Sequence, residues 1–318
     1  ILQSRGLRVT AMKADPYINV DAGTMNPTEH GEVFVTEDGD ETDQDIGNYE
    51  RFLDVNIYSV NYMTTGRVYQ TVINRERNLE YKGKCVEVVP HIPEEIIRRI
   101  RAAQKKSQAE IMIVEIGGTV GEYQNILFLE AARMMKVRNP GDILFILVSY
   151  LPIPASVGEM KTKPTQHAVR LMNEVGLQPD FVIARSERRL DAVRRRKLAE
   201  FCSIDEQHII SAPDAQHIYS VPVLFEREDL SGKGLRSLGL APGRIARSKN
   251  RMNTLRKLVK TIETTTRTVR IGVVGKYFNT GEFVLADSYI SVIEALKHAA
   301  WAFKYKPELV WLDAEDYE

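Results

Sequence analysis

The stretch GEVFVTEDGDETDQD, from Gly31 to Asp45, places seven carboxylates within fifteen residues. Like charges this close repel one another, so most of them must be solvated or offset by cations. Asp45 differs from the rest because it begins the apolar-patterned segment DIGNYERFLDV, and it can therefore face a binding site. Four of the others are expected to form an exposed acidic turn: Glu37, Asp38, Asp40 and Glu41.

A second candidate acid, Glu115, ends the apolar run EIMIVEIGG just before Gly117 and Gly118. Ligands of parallel sheets collect beyond the carboxyl ends of the strands, and glycines let a ligand approach the backbone closely. An acid at a strand end can equally be a helix cap or a surface residue. If Asp45 and Glu115 share a site, their carboxylates would suit a hard cation such as Mg²⁺, completed by substrate phosphates.

The segment GEMKTKPTQHAVRLMNEVG predicts an anion site at the start of a helix. Pro164 disfavours helical geometry at Lys163, so Thr165 is the expected cap of a helix that ends near Gly176. Free backbone N–H groups at the helix start, flanked by Lys161 and Lys163, suit a phosphate chain. The alternative is a solvated pair of lysines before a capped helix.

The basic run RSERRLDAVRRRKLAEFC is typical of a solvated helix face. Lys197 lies one helical turn before Phe201, so we expect it to reach a groove that faces the core. The six histidines show no metal-ligand spacing. His30 is the exception of interest, because it immediately precedes the acidic stretch.

The overall charge is balanced, with 43 Lys plus Arg against 43 Asp plus Glu. This balance argues against a nucleic-acid partner or an anionic membrane surface. Two cysteines are too few for a disulfide framework, and no apolar run approaches the roughly 18 residues of a membrane span. A cytoplasmic protein is therefore expected. The opening ILQSRG resembles the last turns of a helix closed by Gly6, which predicts further chain upstream.

Apolar runs rich in β-branched residues alternate with segments of helical periodicity, which predicts an α/β fold with a mostly parallel, doubly wound sheet. The predicted strands are LRVTAM, CVEVVP, EIMIVEIGG, DILFILVSYL, DFVIARS and QHIIS, each expected to be buried on both faces. The predicted helices are 93–104, 125–135, 165–175 and 190–201.

The composition of the chain changes after Leu240. There APGR and a basic helix-like segment indicate a linker over residues 241–268. A new unit then begins with the strand VRIGVVG, a helix from about Leu285 to Phe303 and a strand ELVWLD. One helix and two strands cannot make a stable parallel unit alone, so residues 269–318 are expected to be the first part of a second domain.

Several stretches together resemble the CTP synthase family of glutamine-dependent amidoligases: MKADPYINVDAGTMNPTEHGEVFVTEDGDETDQDIGNYERF, TTGRVY, VEIGGTVGE, GEMKTKPTQH, VGKYF and SYISVIEALKHAAW. The resemblance implies a P-loop, dethiobiotin-synthetase-like amidoligase domain over residues 1–240, followed by the start of a class I glutaminase domain. Such enzymes phosphorylate O4 of UTP with ATP, and ammonia from glutamine then displaces the phosphate.

The resemblance also implies roles for individual residues. Asp45 and Glu115 would bind Mg²⁺, and Lys13 would stand near the transferred phosphoryl group. The expected ATP contacts are Asp45, Arg185, Asp214 and Ala215. The expected contacts of the UTP triphosphate, shared with the inhibitor CTP, are Lys161, Thr162, Lys163, Pro164, Thr165, Gln166 and Lys197. The expected readers of the CTP base are Glu122, Tyr123 and Gln124, with Phe201 close by. His30 and Val33 would line the ammonia route.

Two positions depart from the family pattern, which usually has an acidic residue at Gln124 and valine at Ala215. The family's Gly-rich phosphate loop would lie upstream of Ile1, and its glutaminase Cys, His and Glu would lie beyond Glu318. The chain as printed is therefore expected to be inactive. The family implies a homotetramer, with GTP as an activator.

Two alternatives stay open at this stage. One is another ATP-dependent amidoligase or carboxylating enzyme on the same sheet, acting on a different acceptor. The other is a truncated nucleotide-binding paralogue that regulates a full-length enzyme or assembles with it.

Overall fold

The computed structural model describes residues 1–240, 249–277, 279–280, 283–284 and 287–314. The chain divides into two compact units. Unit 1 comprises Ile1–Arg8, Leu79–Arg98 and Ile116–Arg256, and unit 2 comprises Val9–Asn78, Arg99–Glu115 and Lys257–Glu318. Within the described ranges, no helix has the length and apolar character needed to cross a membrane.

Strands and helices alternate along the chain. The strands are β1 (Val9–Asp15), β2 (Val33–Val35), β3 (Glu41–Asp43), β4 (Tyr62–Thr64), β5 (Ile111–Ile116), β6 (Ile146–Tyr150), β7 (Phe181–Ser186), β8 (Ile209–Pro213), β9 (Thr268–Gly275), β10 (Asn279–Thr280), β11 (Phe283–Val284) and β12 (Lys306–Asp313). The helices are α1 (Pro27–His30), α2 (Asp45–Leu53), α3 (Thr65–Arg77), α4 (Val88–Ser107), α5 (Ile126–Arg138), α6 (Lys163–Glu174), α7 (Ala192–Cys202), α8 (Val221–Arg227), α9 (Leu230–Ser237), α10 (Lys249–Thr264) and α11 (Ile290–Ala302).

Unit 2 contains a three-stranded sheet in the order β4-β1-β5. Every residue of β1 is buried, and β1 pairs in parallel with β4 so that Lys13 lies opposite Tyr62. The antiparallel pair β2-β3 holds the acidic stretch, with Val33 opposite Asp43. A cluster of Ile46, Ile57 and Tyr62 forms apolar core beside these strands. Lys13 and Asp15, near the end of β1, are therefore buried.

Unit 1 contains a second three-stranded sheet in the order β6-β7-β8, with both pairs parallel. Strand β7 is central, and Val182 and Ala184 pack into a core with Val169 of α6 and Leu198 of α7. The α/β class and the parallel pairing are confirmed. Parallel strands need covering helices because both of their faces carry apolar side chains.

The pair β9-β12 is parallel over its whole length, from Lys306 opposite Thr268 to Asp313 opposite Gly275. It confirms the strands predicted from VRIGVVG and ELVWLD. The helix expected from about Leu285 begins at Ile290, after a short 3₁₀ turn over Asp287–Tyr289. Residues 285–286 of that prediction lie outside the described residues, as do 241–248 of the predicted linker and 278, 281–282 and 315–318 of the predicted second domain.

Two predictions about strands are wrong. CVEVVP forms no strand: Cys85 to Glu87 are irregular, and Val88 begins α4. Val88 and Val89 are 50% and 45% exposed, so β-branched side chains there lack the packed neighbours that a strand needs. Burial on both faces also fails for β6 and β5. In β6 one face is uncovered, since alternate side chains are about half exposed: Ile146, Val148 and Tyr150. In β5 no residue is fully buried, and Ile113 is 51% exposed.

The predicted stop at Gly6 is confirmed, although it closes a single 3₁₀ turn and not the last turns of an α-helix. A 3₁₀ turn spans Gln3–Arg5, and Gly6 follows with φ of 83° while its N–H donates to the carbonyl of Gln3. Glycine suits this left-handed position because it has no Cβ. Both cysteines are free, Cys85 exposed and Cys202 buried.

Candidate functional site

The candidate site of unit 2 is a lysine surrounded by three carboxylates. Nζ of Lys13 donates to Oδ2 of Asp45 and, at 3.0 Å, to Oε1 of Glu115. Oδ1 of Asp15 lies 3.6 Å from the same nitrogen. Lys13 is only 6% exposed, and its side chain projects from the buried strand β1. The structure therefore brings together three of the residues predicted at the phosphoryl and metal site.

The start of α2 holds Asp45 in this cluster. The backbone N–H of Asp45 donates to Oδ1 of Asp43 at 2.9 Å, so the carboxylate of Asp43 satisfies one of the free N–H groups at the helix start. Burial raises the pKa of Asp43 to about 7, although Lys13 and this hydrogen bond act in the opposite direction. Asp45 is the first residue of α2, where the helix dipole favours negative charge.

The charges of the cluster reinforce the protonated state of Lys13. Burial by itself lowers the pKa of Lys13, but Asp15, Asp45 and Glu115 outweigh burial and raise that pKa well above its ordinary value. Burial raises the pKa of Asp15, and Lys13 and a hydrogen bond from Tyr17 oppose the rise. Lys13 is thus a fixed positive charge among acids.

Three tyrosines surround the cluster, and the sequence reasoning missed all of them. Oη of Tyr17 donates to Oδ2 of Asp15 at 2.9 Å and shares a hydrogen bond with Oη of Tyr62. Oη of Tyr49 donates to Oε2 of Glu115. Tyr49 lies one helical turn after Asp45 on α2, so helix periodicity could have indicated it. Tyr17 follows the end of β1, and Tyr62 comes near only through the pairing of β4 with β1.

Asp45 and Glu115 fit a divalent cation. Their oxygens converge on one ammonium group, which stands in for a cation between them. Carboxylate oxygens are the ligands that Mg²⁺ prefers, and Mg²⁺ commonly uses only one or two of them beside water and phosphates. Among the described residues, no group of three or more His, Cys, Asp or Glu side chains has metal-binding geometry.

The acidic turn is more structured than predicted. Glu37 and Glu41 are exposed as expected, but the prediction is wrong for Asp40, whose two oxygens accept hydrogen bonds of 2.7 and 2.8 Å from Arg67. Asp38 accepts hydrogen bonds from the N–H and Oγ of Ser59 at 2.9 and 2.7 Å. Partners distant in sequence therefore offset part of the repulsion that the stretch would otherwise have.

His30 and Val33 lie on either side of a turn in unit 2. His30 ends α1 and is exposed, with its ring 5.6 Å from the ring of Tyr17 in an edge-on arrangement. Val33 begins β2 and is partly buried. Between them, Gly31 adopts φ of 78° and Glu32 turns towards Ser291.

The predicted anion site of unit 1 lies at the start of α6, although the predicted cap is wrong. The helix begins at Lys163, and Pro164 occupies its first turn, where the missing N–H costs nothing. Thr165 is inside the helix, fully buried, with Oγ1 2.9 Å from Oγ of Ser149. Thr162 is buried and accepts a hydrogen bond of 3.1 Å from Nε2 of Gln166.

Glu159 neutralises the cations near this helix start. Its carboxylate accepts from Nζ of Lys161 at 2.9 Å and from Arg194 at 3.0 Å. Hydrogen bonding from Lys161 is the main cause that lowers the pKa of Glu159. Arg194, which the sequence reasoning did not single out, also donates to the carbonyl of Met160 at 3.1 Å. Glu159 thus pairs with two cationic side chains near the helix start, Lys161 and Arg194.

Lys197 and Phe201 lie on a solvent-facing side of α7. Phe201 is 61% exposed and Lys197 is exposed, so the expectation that Lys197 reaches a core-facing groove is wrong. Phe201 is apolar but does not face the core, because the buried side of α7 carries Leu198 and Cys202 instead. Nζ of Lys163 lies 5.7 Å from the ring centre of Phe201.

The remaining predicted residues of unit 1 are mostly exposed. Nη2 of Arg185, in β7, lies 3.7 Å from Oδ1 of Asp214, and Ala215 follows as a half-buried residue. Glu122, Tyr123 and Gln124 form an exposed turn before α5, with Tyr123 92% exposed.

Comparison with known proteins agrees with these features. The sequence profile of the CTP synthase N-terminus matches residues 1–240. CTP synthase of Pyrococcus furiosus is 46% identical over 319 residues, covering 100% of this chain and 57% of the relative. CTP synthase of Bacillus licheniformis is 43% identical over 317 residues, covering 99% and 57%.

CTP synthase of Methanothermobacter thermautotrophicus is 43% identical over 317 residues, covering 99% of this chain and 58% of the relative. The chain thus spans somewhat more than half the length of the curated relatives it matches. Since the profile covers most of the chain and the identity extends along nearly all of it, the chain belongs to the CTP synthase family.

Proposed function

We propose that the protein containing this chain is a C–N bond-forming ligase that converts UTP to CTP, the last step in making this pyrimidine nucleotide. ATP would phosphorylate O4 of UTP, and ammonia from glutamine would displace the phosphate. The observation that carries the proposal is the convergence of Asp45 and Glu115 on Lys13, in a chain of this family. Phosphoryl transfer moves a negatively charged group, and a buried lysine held between acids can offset that charge.

In this proposal Asp45 and Glu115 hold Mg²⁺, with Asp45 also touching ATP. The ion would supply charge neutralisation for the phosphate oxygens. Lys13 also has Asp15 as a partner at 3.6 Å, so its charge would stay beside the site if Asp45 and Glu115 held the ion. Its ammonium would offset charge on the equatorial oxygens of the transferred phosphoryl group.

The UTP triphosphate would bind at the start of α6, to residues 161–166 and Lys197, in a site shared with the inhibitor CTP. The free N–H groups of a helix start favour an anion, and Lys161 adds a positive charge beside them, although its Nζ donates to Glu159 in this structure. Phosphate would have to displace Glu159. Binding of UTP should therefore weaken as competing salt rises.

Further roles follow the family. Arg185, Asp214 and Ala215 would contact ATP. Glu122, Tyr123 and Gln124, with Phe201, would read the base of CTP. His30 and Val33 would line the ammonia route, with GTP as an activator of glutamine use. We also propose a synthetase domain over residues 1–240, a linker over 241–268, a glutaminase domain from 269, and a cytoplasmic homotetramer.

The metal site is tested first on this chain alone. Binding of Mn²⁺, used as a spectroscopic substitute for Mg²⁺, should weaken at least about tenfold in Asp45→Asn and in Glu115→Gln, since each removes one of two charged ligands. Glu37→Gln is the matched control, because it removes one charge from an exposed position of the same acidic stretch. Equal Mn²⁺ affinity in all four proteins would remove Asp45 and Glu115 from a metal site.

The reaction is tested in the full-length protein. Asp45→Ala or Glu115→Ala should abolish ATP-dependent CTP formation while glutamine hydrolysis and the fold persist. Lys161→Ala should chiefly weaken UTP binding, with exposed Lys84→Ala as control. Replacing UTP by other acceptors tests the rival amidoligase, because turnover of another acceptor with none of UTP would replace the proposed reaction. Nucleotide binding without any turnover would favour the regulatory paralogue.

A further inference from the structure

Helix α11 depends on a distant residue for its N-terminal cap. The residue that precedes it, Tyr289, makes no capping hydrogen bond with its side chain. Instead, Oε2 of Glu32 accepts from the backbone N–H of Ser291 at 3.0 Å, and Oε1 of the same carboxylate accepts from Oγ of Ser291. These partners are 259 residues apart in sequence and belong to one compact unit.

The cap lies within a wider contact between the segment around α1 and the start of α11. The backbone N–H of Glu32 donates to the carbonyl of Asp287 at 3.0 Å, so Glu32 is bound through both its backbone and its side chain. Oγ of Ser288 donates to the carbonyl of Pro27 at 3.1 Å. Nε2 of Gln44 lies 3.3 Å from Oδ2 of Asp287.

The negative charge of Glu32 suits the N-terminus of α11. A carboxylate at a helix N-terminus satisfies a free N–H group and interacts favourably with the helix dipole. Glu32 does this with a negative charge, whereas a serine or asparagine cap would offer a neutral oxygen. Residue 32 also lies between His30 and Val33, the two residues proposed above to line the ammonia route.

We propose that Glu32 is a positioning residue that fixes the start of α11 to the turn between His30 and Val33, and thereby couples glutamine hydrolysis to the use of ammonia. This inference rests on the proposed function for its catalytic part. Glu32 touches no substrate in this account. It holds the segment of the ammonia route against the part of the chain proposed to begin the glutaminase domain.

The structural part is tested in the full-length protein by amide hydrogen exchange. In Glu32→Ala, exchange at residues 287–293 should accelerate roughly fivefold, as expected for a lost charged cap of about 1 kcal/mol. Glu32→Gln keeps one acceptor oxygen and should fall between Glu32→Ala and the unaltered chain. Glu37→Gln, an exposed position of the same stretch, should leave exchange unchanged. Unchanged exchange in Glu32→Ala would overturn the cap.

The functional part is tested in the full-length protein by comparing two nitrogen sources. Glu32→Ala should reduce glutamine-dependent CTP formation about tenfold, while ammonia-dependent CTP formation and glutamine hydrolysis stay within about twofold. A merely structural role would lower all three activities together, and that result would overturn the coupling. If the unaltered protein makes no CTP from either nitrogen source, the proposed function fails, and hydrogen exchange still decides whether Glu32 caps α11.

Discussion

Nζ of Lys13 lies 3.0 Å from Oε1 of Glu115, a residue 102 positions further along the chain. Lys13 projects from β1 and Glu115 from β5, which are neighbours in one sheet. The pairing gives a buried lysine a carboxylate that is itself 45% exposed. We therefore expect Glu115 to exchange its partner for a cation from solvent, whereas the buried Lys13 stays in the cluster.

Replacing Lys13 by methionine should make the binding of a solvent cation at Asp45 and Glu115 measurable. Asp15 would lose its cation while buried, so the free energy of unfolding at pH 7 should fall by about 3 kcal/mol. Millimolar MgCl₂ should restore more stability to Lys13→Met than it adds to the unaltered chain, because no ammonium then competes for Asp45 and Glu115. Urea unfolding with and without MgCl₂ measures both effects. The exposed substitution Lys105→Met is the control, and an equal response to MgCl₂ in all three proteins would contradict the exchange.

Replacing Tyr49 by phenylalanine should loosen Glu115. The change removes only the hydroxyl that donates to Oε2 of Glu115. A loss of about 1 kcal/mol in the free energy of unfolding is expected, since part of the carboxylate can turn to water. Tyr69→Phe, a half-buried position on α3, should cause no such loss in the same urea titration. Equal stability of the two variants would show that the hydroxyl contributes nothing.

Arg67 should not be replaceable by lysine. Its guanidinium makes two hydrogen bonds of 2.7 and 2.8 Å to Asp40, and its Nε donates to the carbonyl of Val20 at 3.0 Å. Lysine cannot make these paired hydrogen bonds. Arg67→Lys should therefore lower the free energy of unfolding by about 1.5 kcal/mol and lower the melting temperature with it. Arg77→Lys, at a side chain that is 78% exposed, should change it little. Calorimetry compares the two, and similar melting temperatures would contradict the prediction.

Asp38 should make stability depend on pH in the acid range. Burial by itself would raise its pKa, but hydrogen bonds from Ser59 and Thr36 lower the pKa to about 2. A carboxyl with a lowered pKa stabilises the fold above its unfolded value near 3.8, and the contribution is lost as the pH falls from about 4 to 2. The slope of unfolding free energy against pH should flatten there in Asp38→Asn but not in Glu37→Gln. An unchanged slope in Asp38→Asn would refute the assignment.

Much of the fold could be predicted because the relevant signals are local. The runs that became β1, β5 and β7 combine β-branched residues with flanking turn residues, and the positive φ of Gly6 follows from its lack of a Cβ. The start of α6 could not be placed correctly, since proline is compatible both with a break before a helix and with its first turn. CVEVVP has the composition of a strand, but its last residues from Val88 onwards begin α4 instead.

The sequence by itself determined the alternation of strands and helices, the charge balance and the family, because these depend on residue types and their order. The tertiary structure decided how the carboxylates of the acidic stretch differ. It set Asp45 beside Lys13, paired Asp40 with Arg67 and placed Glu32 on the start of α11. All seven acids are chemically alike, so only the contacts made by folding, with partners up to 259 residues away, give each carboxylate its own environment.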